Sequence, residues 1–180
     1  MPRECEGDFD YVFPDGWQVK KWDDTSFHKT LFQSFGGSSK AVEFFAYSDE
    51  ADSPLWLIEC KDFRPNGRNK TIDLCDEIAQ KIKSSLAGLV CARNSQDSDL
   101  KRFARMALKK TDIHCVVHWE HPLRPHRLWP WEFMDRSSIR DKLRQRLAVA
   151  DPKAEIGNIA QLNTTMPWKI ERHSSIDIQM

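Results

Sequence analysis

Three residues whose side chains could do chemistry interrupt otherwise apolar segments of the sequence. Glu59 and Lys61 end the apolar run that starts at Pro54, and Glu43 lies inside an aromatic-rich run sixteen residues before Glu59. Residues two apart in a β-strand point to the same side, so a strand here would place Glu59 beside Lys61. Glu43 would join them if the two runs pair as an antiparallel hairpin.

Two carboxylates brought together in a partly buried place repel each other unless a cation lies between them. Mg²⁺ or Mn²⁺ suits this position, because hard divalent ions prefer oxygen ligands and leave room for water and a phosphate. The ammonium group of Lys61 could then orient or deprotonate an attacking water and stabilise negative charge in the transition state. The pattern therefore favours metal-assisted attack of water on a phosphate group.

Other residues offer rival sites of the same type. Asp49 and Asp52 could replace the earlier glutamate as the first acid, although both fall in a predicted loop, where solvated carboxylates are typical. An acid two residues before a lysine also occurs in Asp99-Leu100-Lys101 and in Asp151-Pro152-Lys153. Only the acid at Glu59 ends an apolar strand and follows a second strand that carries an isolated acid, so we favour that site.

The elements that must position these residues follow from the pattern of apolar residues. Two strands are predicted over Ala41 to Tyr47 and Pro54 to Phe63, joined by the polar loop Ser48 to Ser53. A short amphipathic helix should precede them from Thr25 to Phe35, and apolar residues at helical spacing predict another from Ile72 to Leu86. Later elements are predicted over Asp99 to Lys110 (helix), Ile113 to Trp119 (strand), Ile139 to Leu147 (helix) and Trp168 to Ile170 (strand).

The hairpin and the motif at its end resemble a known family. Glu43 followed by Leu55-Trp56-Leu57-Ile58-Glu59-Cys60-Lys61 resembles the PD-(D/E)XK phosphodiesterase superfamily, which has a restriction-endonuclease-like fold. The resemblance covers mainly residues 24 to 90, where helix, strand, strand with Glu-x-Lys and helix follow in the family's order. It implies an α/β three-layer sandwich, with a mixed central β-sheet flanked by helices. It also implies an Mg²⁺- or Mn²⁺-dependent nuclease that acts on DNA rather than RNA.

The resemblance assigns a role to each residue of the motif. Glu43 corresponds to the first acid and Glu59 to the second, and both would bind the metal. Lys61 corresponds to the catalytic lysine, and the main-chain carbonyl of Cys60 would be a further metal ligand. Glu43 departs from the family pattern, which normally has an aspartate after proline, and the segment Thr25 to Phe35 lacks a glutamate that many members carry. These departures keep open a second interpretation, a catalytically inactive nuclease-fold module that binds nucleic acid or a protein partner.

The net charge of zero hides an uneven distribution of charge along the chain. Residues 1 to 60 contain five Lys or Arg against twelve Asp or Glu, whereas residues 93 to 146 contain thirteen against seven. A metal-binding acidic part and a basic part that holds a polyanion would produce this asymmetry, although solvated helix faces produce it too. We expect the basic helix faces to lie on the same side of the molecule as Glu59. The side chains predicted to contact nucleic-acid phosphates are Lys101, Arg102, Arg105, Lys109, Arg136, Arg140 and Arg144.

Two further features offer other functions. The histidines His114, His118, His121 and His126 raise a zinc interpretation, which we disfavour because a strand would place the first two about 13 Å apart. The proline- and tryptophan-rich segment Pro122 to Phe133 is predicted to be a loop. If the chain has a protein partner, this segment is the surface that we expect the partner to contact.

Length and composition limit the class of protein. With 180 residues, 40% of them apolar and 30% charged, we expect one globular domain over 1–180, with 1–15 and 172–180 as the segments that could lie at its periphery. The apolar runs are too short to span a bilayer and the first ten residues are acidic, so we expect a cytoplasmic protein without a membrane partner. The five cysteines are odd in number and scattered, which predicts no disulfide framework.

Overall fold

A computed structural model describes the fold of the chain over residues 1–36, 38–65, 68, 70–121 and 135–173. In chain order the strands are β1 (Arg3–Glu6), β2 (Phe9–Val12), β3 (Trp17–Lys21), β4 (Phe44–Ser48), β5 (Leu55–Asp62), β6 (Ile113–Glu120), β7 (Glu155–Gly157) and β8 (Lys169–Arg172). The α-helices are α1 (Leu74–Ala92), α2 (Ser98–Ala107), α3 (Arg136–Leu147) and α4 (Ile159–Thr165), and a π-helical turn covers His28–Phe32.

The central sheet is mixed, as the sequence predicted. Its strands lie in the order β3-β4-β5-β6-β7. β4 pairs with β3 and with β5 in antiparallel orientation. β6 pairs with β5 and with β7 in parallel orientation. The short loop after β4 allows an antiparallel return, while α1 and α2 form the long crossover that a parallel pair such as β5 and β6 requires.

The two faces of this sheet are covered by different layers. Phe45, Leu57 and Val117 pack in one core with residues of α1, α2 and α3. Phe44 and Ile58 pack in a second core on the other face, against α4 and a three-stranded sheet of order β1-β2-β8. Because side chains alternate across a strand, burial on both faces explains the near-continuous apolar runs of β4 and β5. The predicted three-layer α/β class is confirmed, with the second outer layer formed mostly by strands rather than helices.

The N-terminal residues, which the sequence allowed at the periphery, belong to the second core. Phe9, Tyr11 and Phe13 have no exposed surface, and β2 is the middle strand of the small sheet. β8 pairs with β2 as far as Arg172. The rest of the predicted C-terminal periphery, residues 174–180, lies outside the described residues.

Local sequence explains where α1, the helix beside the candidate site, begins. α1 starts two residues later than predicted because the side chain of Asp73 caps it, accepting hydrogen bonds from the backbone N–H groups of Cys75 and Asp76. The helix predicted from Thr25 to Phe35 is reduced to the π-helical turn His28–Phe32. Among the described helices, none is long and apolar enough to cross a membrane.

Candidate functional site

Glu43 and Glu59 face each other at one end of the central sheet. β4 and β5 pair in a register that places Phe44 opposite Ile58, and the same register, extended by one residue, places Glu43 opposite Glu59. Both glutamates point to the face covered by α1, because side chains alternate along each strand. Glu43 is 7% exposed and Glu59 is 0% exposed. The two acids of the predicted motif therefore meet in a buried position.

A lysine from α1 lies between the two glutamates. Lys81 Nζ donates hydrogen bonds to Glu43 Oε1 at 3.0 Å and to Glu59 Oε1 at 2.6 Å. The two oxygens are therefore no farther apart than those two distances laid end to end. Burial lowers the pKa of Lys81, but the negative charges of Glu59 and Glu43 outweigh it and raise the pKa above its usual value. Lys81 is thus a cation at the position predicted for the metal.

Lys61 lies beside Glu59, on the side of β5 that its spacing predicted. Its Nζ is 2.7 Å from Glu59 Oε1 and 3.4 Å from Glu77 Oε1. Its side chain is 13% exposed, so one edge remains open to solvent while two carboxylates hold the ammonium group. In this position the charge of Lys61 can act on a water or an oxyanion placed near Glu59.

Glu77, on the first turn of α1, holds cations from the loop that follows β5. It is 1% exposed and accepts hydrogen bonds from Lys70 at 2.6 Å and from Arg68 at 3.1 Å. Burial raises the pKa of Glu77, but the hydrogen bond from Lys70 and the charges of Lys61 and Lys70 outweigh it and lower the pKa to about 2. Glu77 is therefore an anion at neutral pH, and it fixes the position of Lys61.

A third carboxyl group, from Asp23 after β3, completes the acidic side of the cluster. Its side chain lies close enough to that of Glu43 for the charge of Glu43 to act on its pKa, and the backbone N–H of Trp22 donates to the main-chain carbonyl of Glu43 at 2.7 Å. Burial, and after it the negative charge of Glu43, raises the pKa of Asp23 to about 7. The raised pKa leaves a proton on Asp23 in a large fraction of molecules at neutral pH, so a cation that bound both carboxyl groups would release that proton.

Two carboxyl oxygens of the cluster are buried without a hydrogen-bond partner, Oδ1 of Asp23 and Oε2 of Glu59. An unsatisfied buried polar atom is rare in proteins and costs about 1–3 kcal/mol. An Mg²⁺ or Mn²⁺ ion would satisfy such oxygens, since carboxylates are among its preferred ligands. The acids therefore fit a divalent ion, on the condition that Lys81 moves away from Glu43.

The other predicted metal ligand, Cys60, brings no side chain to this cluster. Its thiol points to the opposite face of the sheet, where Sγ lies 3.7 Å from Nδ1 of His118. Burial raises the pKa of this thiol to about 12. Only the main-chain carbonyl of Cys60 could act beside Glu59, and that role stays a prediction.

The rival first acids, Asp49 and Asp52, are exposed in the loop between β4 and β5. This loop follows Ser48, at the end of β4 that is remote from Glu43. Six residues of extended chain separate Asp49 from Glu43, which corresponds to about 20 Å. The position of the loop therefore favours Glu43 as the partner of Glu59.

The basic residues of α2 lie far from the carboxylates. Phe103 of α2 packs on Tyr47 with ring centres 5.0 Å apart, and Lys110 donates to the main-chain carbonyl of Ser48 at 2.8 Å. α2 therefore covers the end of β4 that is remote from Glu43. The expectation that its basic face shares one side with the candidate site is wrong, because the crossover returns α2 to the start of β6. The residues concerned are Lys101, Arg102 and Arg105 of α2, and Lys109, which lies two residues beyond its end.

The start of α3, in contrast, lies at the same end of the molecule as the start of α1. The thiol of Cys75 donates to the main-chain carbonyl of Ile139 at 3.5 Å, so the first turns of the two helices touch. Arg136 and Arg140 lie on these turns and stay predicted phosphate contacts. Arg144 is engaged in the fold, since it binds main-chain and side-chain oxygens at the start of β7.

The two histidines of β6 have separate partners. His118 is fully buried, with Nδ1 2.7 Å from the hydroxyl of Tyr11 and Nε2 3.1 Å from Glu120 Oε1. His114 instead lies against Trp56, with ring centres 4.8 Å apart. Two features named in the sequence lie outside the described residues. They are His126, from the disfavoured zinc interpretation, and the segment Pro122 to Phe133, where we expect a protein partner to bind.

Three residues of the cluster were missed in the sequence: Asp23, Glu77 and Lys81. Glu77 and Lys81 lie four residues apart within the apolar stripe of α1, next to Ile78 and Ile82. Charges inside such a stripe indicate that the helix packs on opposite charges, so a signal for these two was present. Asp23 was indistinguishable from an ordinary helix-capping residue.

Comparison with known proteins gives one distant similarity. A cysteine–tRNA ligase from Neisseria meningitidis serogroup A / serotype 4A is 28% identical over an alignment of 198 positions, which covers 89% of this chain. The chain spans only about 28% of the length of that relative, so the similarity concerns one segment of the ligase. No known protein-family profile matches the chain, and no solved structure matches it.

Proposed function

We propose that the chain is a metal-dependent nuclease that hydrolyses phosphodiester bonds in nucleic acid, in DNA rather than RNA, with Mg²⁺ or Mn²⁺ as cofactor. The observation that carries this proposal is the convergence of Glu43, Glu59 and Lys61 at one end of the central sheet. Two acids from neighbouring strands with a lysine beside the second acid are the arrangement that the PD-(D/E)XK resemblance implies. The preference for DNA rests on that resemblance alone.

In this proposal the acids hold the ion and the lysine serves the reaction. Glu43 and Glu59 bind the metal, with Asp23 as an additional acid and the carbonyl of Cys60 as a further ligand. When bound, the ion supplies Lewis-acid activation of the phosphate and of a water molecule. Lys61 orients the attacking water, and its charge stabilises the negative charge that develops on the phosphate oxygens.

Binding of the nucleic-acid backbone falls to cations around the site rather than to α2. Lys70 lies in the loop between β5 and α1, within hydrogen-bond distance of Glu77, and half of its side chain is exposed. Arg136 and Arg140 lie at the start of α3, which touches the start of α1. Cations at this end of the sheet can position a phosphodiester over the acids, because arginine and lysine supply most contacts to phosphate in nucleic-acid proteins.

A second candidate function is a catalytically inactive nuclease-fold module that binds nucleic acid. The observation that favours it is Lys81, whose ammonium group neutralises Glu43 and Glu59 without a metal. If Lys81 stays there, no ion can bridge the two acids. The similarity to a segment of a cysteine–tRNA ligase directs this candidate toward RNA, since that enzyme acts on a tRNA.

Incubation of the purified chain with supercoiled plasmid and with single-stranded DNA and RNA oligonucleotides, in Mg²⁺, Mn²⁺ or EDTA, separates the two candidates. The nuclease predicts cleavage that needs the ion and is lost in Glu59→Gln and in Lys61→Ala. Lys153→Ala is the matched control, because Lys153 belongs to another acid-x-Lys sequence and is exposed. Binding without metal-dependent cleavage would support the inactive module, and cleavage that survives in Lys61→Ala would reject the assigned mechanism.

A further inference from the structure

A second group of metal-binding side chains lies on the outer face of the three-stranded sheet. Cys5 of β1 and Asp10 of β2 are directly opposite each other in the antiparallel register, and His173 follows β8 on the other side of β2. Cys5 Sγ lies 3.3 Å from His173 Nε2, which lies 2.9 Å from Asp10 Oδ1. All three ligand atoms are within 4.8 Å of one another.

We propose that Cys5, Asp10 and His173 form a Zn²⁺ site. A thiolate, an imidazole and a carboxylate are the donors that Zn²⁺ takes in proteins, whereas Mg²⁺ takes oxygen donors. For Zn–S and Zn–N bonds of ordinary length, ligand atoms on a tetrahedron lie about 3.3 to 3.6 Å apart. The two observed separations are shorter than these values and the Cys5–Asp10 pair lies within 4.8 Å, so side-chain rotations would be needed to place all three ligands around the ion. This site is independent of the carboxylate cluster, which lies on the α1 side of the central sheet.

The surrounding residues hold the ligands in place. The backbone N–H of His173 donates to the main-chain carbonyl of Asp8 at 2.9 Å, which anchors the histidine beside β2. Arg3 binds Asp10 Oδ2 at 3.0 Å and Glu171 at 3.1 Å, so Oδ1 of Asp10 is the oxygen that faces the other ligands. Such outer hydrogen bonds orient metal ligands and raise affinity. The charges also balance, because a thiolate and a carboxylate neutralise Zn²⁺ while Glu171 neutralises Arg3.

Binding of the ion exchanges protons for metal bonds. The thiol of Cys5 would lose its proton to solvent, and His173 would bind as neutral imidazole through Nε2, with its ring hydrogen on Nδ1. Zn²⁺ affinity should therefore rise with pH. Three protein ligands leave one position for water, and the ion can enter from solvent because Cys5 is exposed.

The ion would join parts of the chain that are far apart in sequence. Asp10 and His173 are separated by 163 residues, so Zn²⁺ would fasten the β1–β2 hairpin to the end of β8. An ion that binds the folded chain but not the unfolded chain stabilises the folded state through its binding free energy. The role that we assign to the site is stabilisation of the small sheet, with water in the fourth position that three protein ligands leave open.

Titration of the chelator-treated full chain with Co²⁺, a spectroscopic substitute for Zn²⁺, tests the site. We expect one equivalent to produce the visible bands of tetrahedral cobalt and a near-ultraviolet thiolate charge-transfer band, both abolished by added Zn²⁺. Cys5→Ser should remove the charge-transfer band, and His173→Ala should weaken Co²⁺ binding by more than the roughly 10- to 100-fold that loss of an outer partner costs. Cys91→Ser, at another exposed cysteine, should behave as the wild type.

Thermal unfolding in Zn²⁺ and in EDTA gives a second measurement of the same site. Zn²⁺ should raise the unfolding temperature of the wild type and of Cys91→Ser, but not of Cys5→Ser, and circular dichroism confirms that each variant is folded. Identical cobalt spectra for Cys5→Ser and Cys91→Ser would overturn the proposal. A wild type that takes up no Co²⁺ or Zn²⁺ would overturn it too.

Discussion

Replacing Lys81 with methionine should destabilise the metal-free protein and make it dependent on divalent ions. Methionine keeps the apolar length of the side chain but removes the ammonium group that Glu43 and Glu59 share. Removing one partner of a buried ion pair costs about 3–5 kcal/mol, because a buried charge is left uncompensated. Lys61 stays 2.7 Å from Glu59 and supplies part of the missing charge. We therefore expect the free energy of unfolding in EDTA to fall by about 3 kcal/mol, the lower end of that range.

Urea unfolding followed by tryptophan fluorescence, in EDTA and in Mg²⁺ or Mn²⁺, measures both parts of this prediction. An ion that enters the vacated position stabilises the folded state by about 2.7 kcal/mol when its concentration is 100 times its Kd. Divalent ions should therefore stabilise Lys81→Met more than the wild type. Lys83→Met is the control, since Lys83 is exposed on the same helix.

Two results would refute the reasoning about Lys81. If Lys81→Met loses no more stability in EDTA than Lys83→Met, the ammonium group does not compensate the buried acids. If divalent ions stabilise Lys81→Met no more than the wild type, the acids do not bind a metal when the lysine is removed.

Three further predictions concern catalysis, pH and nucleic-acid binding. Lys61→Ala should lower the rate of DNA cleavage by roughly 10²-fold or more, with the affinity for DNA nearly unchanged in fluorescence anisotropy, since only charge stabilisation near the reacting phosphate is lost. The pKa of Asp23 is raised from 3.8 to about 7, so the folded state binds this proton more tightly than the unfolded state and stability declines as pH rises through that interval. Asp23→Asn should make the unfolding temperature, measured without metal, fall less steeply with pH over this interval. An unchanged pH dependence would show that Asp23 does not hold this proton. Joint replacement of Arg136 and Arg140 by glutamate should weaken DNA binding and reduce its dependence on salt, measured as log K against log salt concentration. The same change at Arg102, on α2, should have a much smaller effect on DNA binding. Equal effects would indicate that α2 contacts the nucleic-acid phosphates.

The strands that carry the motif were predictable because their signals are local. β4 and β5 are short, apolar and separated by a polar loop, which defines a hairpin without knowledge of the rest of the chain. Once the hairpin forms, the register alone brings Glu43 opposite Glu59, and the two-residue spacing places Lys61 beside Glu59. The start of α1 was predictable to within two residues for the same reason, since Asp73 caps it through its own neighbours.

The remainder of the site depends on contacts between distant segments, which the sequence does not specify locally. Lys81 meets the acids only because α1 packs across the sheet, and Asp23 meets Glu43 only because β3 joins the edge of β4. β3 itself, with the sequence Trp17–Lys21, is too polar to be recognised as a strand by its apolar pattern. The place of α2 was missed because a helix pattern gives its buried face but not the end of the sheet that it covers.

A crystal structure of the chain grown with Mn²⁺, with data collected near the manganese absorption edge, tests the central claim most directly. The account predicts an anomalous-difference peak that places Mn²⁺ within bonding distance of the carboxylates of Glu43 and Glu59. Lys81 Nζ should have moved out of hydrogen-bond distance of Glu43. A structure in which Lys81 still bridges the two glutamates at saturating Mn²⁺, with no peak between them, would contradict it.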